Sequence, residues 1–206
     1  MTNQINEFTI IISQAILSKP LTNDLVKSIL EKQRAIENKL PKDHSLLIIN
    51  SDAIASVKHL LACILYAIKA FEQQNNLAKS LAAEIILYLS GYRQISKAFQ
   101  EVGLTPETQN IAFVQITKDI MEPNSKDEES LVNFEHFLTE LKIQSDSFSF
   151  DVDKLANTNE KKIMSNLGIT EENISLIMTD NTNGYSRDKA IEKLAIEKST
   201  LLNILK

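Results

Sequence analysis

The stretch from Ser51 to Val102 contains no proline and one glycine, Gly91, and within it Leu60–Ile68 reads LLACILYAI, apolar throughout. A bilayer span needs about 20 such residues, so this run is too short to cross a membrane and must be covered by protein on most sides. Ser56 is placed to cap a helix running to about Phe71. The polar QQNN then breaks the pattern. A second buried helix is predicted over Leu77–Leu89, stopped by Ser90 and Gly91, and a third over Gln94–Val102, stopped by Gly103.

Shorter signals surround this block. Phe8–Ile12 (FTIII), Leu46–Ile49 and Ile111–Ile116 are β-branched runs suited to buried strands. Asn23 is a candidate cap for a helix to about Asn38, with Leu25, Ile29, Leu30 and Ile36 as its apolar stripe. An acidic loop is expected over 119–129. Beyond it come an amphipathic helix over 130–141, a strand over 148–152, and helices near 159–167, 171–178 and 187–194. Asn183-Gly184 marks a turn, and the ending STLLNILK fits helix or strand. Strands and helices do not alternate regularly. The fold class expected is therefore α+β, with several helices packed together and against a small, mostly antiparallel sheet. The 206 residues, 43% hydrophobic and 24% charged, suit one domain over 1–206.

The formal charge is −5, so any nucleic-acid site must be a local patch. The single Cys63 lies in the apolar run, excludes an intrachain disulfide and fits a reducing cytoplasm; no secretion signal is read at the start. Four glycines leave little room for a phosphate-binding loop. No HExxH or Cys/His metal spacing occurs, and His44, His59 and His136 lack a Ser/His/Asp context. These features favour a binding role over an enzyme, with no cofactor and no metal.

Ser56–Leu104 resembles the tRNA-binding accessory subunit family of the KEOPS complex (TPRKB-type). The resemblance is carried by Lys58-His59-Leu60-Leu61, Ala70-Phe71, Ala78 with Ser80-Leu81, Glu84 with Leu87, Ser90, and Arg93-Gln94-Ile95 with Ala98 before Gly103. It is best over 45–117, and the composition is similar to that of an archaeal member. The resemblance implies a subunit without an active site. Such a subunit binds the kinase-like ATPase subunit and recruits tRNA through its single-stranded CCA end for threonylcarbamoyladenosine modification. A protein-only scaffold that regulates the ATPase subunit without touching RNA is the alternative.

Within this segment, Lys58 to Leu104 carries five basic residues (Lys58, Lys69, Lys79, Arg93, Lys97) against three acids. Local positive charge suits phosphate. Lys58 and His59 fall in the first turn of one predicted helix, and Arg93 and Gln94 at the start of another, where unpaired amides also attract anions. Lys58, His59, Arg93, Gln94 and Lys97 are thus the candidate RNA-binding residues. His59, Tyr92 or the plane of Arg93 offers a stacking platform. The alternatives are a solvated Lys58, a His59 that satisfies a core carbonyl, and a buried Glu84 paired with Arg93. Tyr66 and Tyr88 read as core edges, and Leu60, Leu61, Phe71, Leu81 and Phe99 as packing. Leu131, Phe134 and Leu138, and Ile191, Leu194 and Ile196, form stripes that suit core or partner surface.

Overall fold

A computed structural model describes residues 3–5, 7–41, 44–118, 132–149, 155, 159–179 and 185–204. The expected acidic loop, the Asn183-Gly184 turn and Leu131 lie outside these residues. The chain forms two compact units, each built from two separated segments: 1–50 with 104–153, and 51–103 with 154–206.

The first unit holds a five-stranded antiparallel sheet made of β1 (Asn3–Ile5), β2 (Phe8–Leu17), β3 (Ser45–Asn50), β4 (Asn110–Lys118) and β5 (Ser145–Ser149). Its order is β1-β2-β4-β3, with β5 also on β2. β2 outruns the predicted 8–12 because Ser13 and Gln14, though polar, are buried and continue the pairing with β4 from Phe8↔Lys118 to Ile16↔Asn110. β5 lies earlier than the predicted strand, at Ser145–Ser149, and is mostly exposed.

Helices α1 (Asn23–Glu37) and α5 (Phe134–Glu140) cover one face of this sheet. The shared core includes Leu17, Ile29, Leu46, Ile48, Ile111, Phe113, Phe134 and Phe137. Phe113 and Phe134 stack at 4.0 Å between centroids. The cap of α1 is Thr22, not Asn23, its hydroxyl accepting the Leu25 amide at 3.3 Å. α1 also services the edge of β3. Gln33 Nε2 donates to the Leu46 carbonyl at 2.8 Å. Glu37 lies against the same residue: burial raises its carboxyl pKa, opposed by a hydrogen bond from the Leu46 backbone and by Arg34.

The second unit is helical among its described residues. It comprises α2 (Val57–Glu72), α3 (Leu81–Ser90), α4 (Ile95–Val102), α6 (Glu160–Leu167), α7 (Glu171–Thr179) and α8 (Arg187–Ile204), with a 3-10 turn at Ser51–Ala53. α2 packs on α3 and α8, and α3 on α4. Leu60, Cys63, Ile64 and Ala67 of the apolar run are fully buried, as its composition requires. α3 begins at Leu81, four residues after the predicted start, because Ser80 caps it by accepting the Ala83 amide at 3.3 Å. The ambiguous ending is helical: α8 continues to Ile204. Ile163, Leu167, Ile174, Ala190, Ile191 and Leu194 form a core of their own. Of the two apolar stripes, Phe134 with Leu138 and Ile191 with Leu194 are therefore interior, whereas Ile196 is half-buried. Phe99, expected to pack, is 40% exposed beside Ile95, because α4 turns Ala98 and Val102 inward.

Candidate nucleic-acid interface

The α3–α4 junction follows from two local constraints. Gly91 ends α3 in the left-handed region, φ 69°, a conformation that disfavours side chains with a Cβ. Buried Ser90 then donates to the Leu87 carbonyl at 3.0 Å and accepts the Tyr92 amide at 3.2 Å. The chain leaves α3 along a fixed path that holds Tyr92 half-buried and leaves Arg93, Gln94 and Lys97 exposed. The Lys97 ammonium lies 4.1 Å from the centroid of the Tyr92 ring, a cation–π contact that covers one face of the ring.

Gln94 is the N-cap of α4 and makes no side-chain capping bond. Thr22, Ser56, Ser80, Asn133 and Asn159 do cap α1, α2, α3, α5 and α6. The first amides of α4 therefore lack a side-chain cap, and they lie among the exposed Arg93, Gln94 and Lys97. Such amides and cations suit a phosphate oxygen.

Lys58 and His59 are adjacent in sequence but opposite in placement. Lys58 is exposed on the first turn of α2, and its ammonium stands 3.8 Å from Glu192 of α8. His59 is 0% exposed, so it is not a platform for a base. Its Nδ1 accepts the Ala55 amide at 3.3 Å and its Nε2 is 3.0 Å from Ser199 Oγ. The partner is thus a backbone amide rather than a core carbonyl. Burial pushes its pKa down to about 4. Cys63 is also fully buried and hydrogen-bonded to Ser199, its thiol pushed up to about 12 by burial.

Glu84 does not pair with Arg93. It sits in the first turn of α3 whereas Arg93 lies beyond the last turn, so the length of the helix separates them. The Glu84 carboxylate instead accepts the amides of Leu77 and Ala78 at 2.9 and 2.7 Å, which meets the need of a buried charge for partners. Sequence reasoning missed Ser199 and Glu192. Ser199 is 140 positions from His59, and no local pattern links them. Among the described residues, no group of three or more His, Cys, Asp or Glu is placed to hold a metal ion, and no helix is long and apolar enough to cross a membrane.

Exposed cations, the first amides of α4 and a half-buried ring thus stand together at the α3–α4 junction. The model of a family described as kinase binding protein CGI-121 matches residues 21–200, and the chain belongs to this family. It is similar to the EKC/KEOPS complex subunit CGI121 of Yarrowia lipolytica (strain CLIB 122 / E 150), with 30% identity over 74 residues, 36% of this chain and 44% of that protein. The similarity thus spans less than half of that relative.

Proposed function

We propose that this protein is a non-catalytic KEOPS subunit that binds the kinase-like ATPase subunit and recruits tRNA through its single-stranded CCA end. The observation that carries the reading is the family match over 21–200, described as kinase binding, with the KEOPS subunit of Yarrowia lipolytica supporting the complex. The RNA part rests on the α3–α4 junction. Arg93, Lys97 and the open amides of α4 engage phosphates, and Lys58 adds a contact from α2. Tyr92 and the Arg93 plane take the splayed bases. A stacking base displaces Lys97 from the ring, and the freed ammonium turns to a phosphate.

Two measurements test this reading. Co-elution with the kinase-like subunit of the same organism at micromolar concentration tests the protein contact, and separate elution overturns it. Gel shift with intact tRNA and with tRNA lacking CCA tests the RNA contact. Equal binding of the two RNAs removes the CCA end from the proposal. Co-elution without any RNA shift leaves the protein-only scaffold, a reading favoured by the net charge of −5.

A further inference from the structure

The first turn of α2 is held from inside by a chain of buried polar groups. Ser56 Oγ accepts the His59 amide at 3.1 Å. The ring of His59 reaches back to accept the Ala55 amide at Nδ1, 3.3 Å. That bond requires Nδ1 to be unprotonated, so the ring proton is on Nε2 and is donated to Ser199 Oγ at 3.0 Å. The Ser199 hydroxyl is in turn bonded to Cys63. His59, Cys63 and Ser199 are each 0% exposed. The ring is thereby fixed in one tautomer and one orientation, and its acceptor nitrogen is aimed at the turn that precedes Lys58.

We infer that His59 is a positioning residue for the RNA surface: it never meets the RNA, but orders the Ala55–Lys58 turn so that Lys58 is presented to a phosphate. This inference rests on the RNA-binding reading above. Without the Nδ1 acceptor the Ala55 amide loses its partner and the turn is free to move. The reach of Lys58 is then set by its pairing with the half-buried Glu192 at 3.8 Å, a long contact from an exposed ammonium that orders a side chain weakly.

The two ring nitrogens can be replaced separately, which makes the inference testable. His59→Asn keeps an acceptor near the Nδ1 position, and His59→Gln keeps a donor near the Nε2 position. Both lose part of the network and both lower the melting temperature. A merely structural role predicts equal tRNA binding by the two folded variants. A positioning role predicts that His59→Asn binds tRNA like wild type, whereas His59→Gln binds about tenfold more weakly, the size of one lost charge-assisted contact. Exchange of the Ala55 amide is to be slow in His59→Asn and fast in His59→Gln. Equal affinities, or equal exchange rates, overturn the inference. Where His59→Gln fails to fold, Ser199→Ala takes its place: it leaves the ring but frees it to turn. Weaker tRNA binding well below its melting temperature supports the inference, and unchanged binding overturns it. Lys58→Ala separates the two levels. If it binds less tightly while the His59 pair behaves alike, the RNA reading stands and the positioning role falls. If wild type shifts no tRNA, both fall.

Discussion

The Glu84 carboxylate accepts the Ala78 amide at 2.7 Å from within a largely apolar helix. Together with the Leu77 amide it anchors the bend between α2 and α3. Glu84→Ala leaves these donors without their acceptor and is expected to lower stability by about 1.5–3 kcal/mol, the range for hydrogen bonds to a charged group. Glu84→Gln retains an acceptor and is expected to lose about 1 kcal/mol. Urea midpoints of the two variants check both values. Arg93→Ala, by contrast, is expected to melt like wild type.

At the α3–α4 junction, charge and stacking separate by their response to salt. Lys97→Ala or Arg93→Ala is expected to weaken tRNA binding and to lower the slope of log affinity against log salt by about one, since one phosphate contact is lost. Tyr92→Ala is expected to cost about 1–3 kcal/mol of binding with the slope nearly unchanged. Binding titrations at several salt concentrations distinguish them. A Tyr92 variant that changes only the slope would count against stacking.

Acid should destabilise the protein partly through His59. Its pKa is depressed from 6.5 to about 4 in the folded chain, so the unfolded chain takes up the proton first. The stabilisation is full above pH 6.5 and is lost as the pH falls to about 4, amounting to about 3 kcal/mol. Carboxylates titrate in the same window, so the informative quantity is the difference between wild type and His59→Asn. Urea midpoints at about pH 7 and about pH 4.5 should converge at the lower value. A constant difference would contradict this.

The helices of the second unit were legible because their signals are local. Ser56 caps α2, Gly91 stops α3, and one side of LLACILYAI is buried, each decided by residues within a few positions of it. Lys58 in the first turn of α2 was legible as a surface lysine for the same reason, whereas Arg93 was left between a surface residue and a partner of Glu84. His59 was not legible. On an apolar helix, a histidine in the first turn next to an exposed lysine gives no indication of which way it faces. The deciding partner, Ser199, belongs to a helix read only to 194. Charge complementarity offered Arg93 as a partner for Glu84, whereas backbone amides satisfy the carboxylate. β2 was cut short because Ser13 and Gln14 look like surface residues yet are enclosed. The assembly of each unit from two distant segments is invisible to any reading that moves along the chain.

Two glycines separate conformational from steric demand. Gly168 ends α6 at φ 60° with open space where a Cβ would stand. Gly168→Ala should therefore cost only the left-handed penalty, about 1 kcal/mol. Gly103 needs no positive φ, but an added Cβ would lie 2.4 Å from the Phe99 carbonyl oxygen. Backbone cannot rotate away as a side chain can, so Gly103→Ala should cost about 2–3 kcal/mol. Urea denaturation of the two variants should give that order.

The cysteine enclosed against Ser199 makes the wild-type chain its own reporter. Cys63 is the sole thiol, and it is sealed beneath α8 with its ionisation suppressed. A thiol reagent can reach it only in molecules where the packing of α3 or α8 on α2 has opened. The labelling rate therefore times the opening of this helical core, with no engineered probe. Any partner that clamps these helices would reveal itself by slowing that clock.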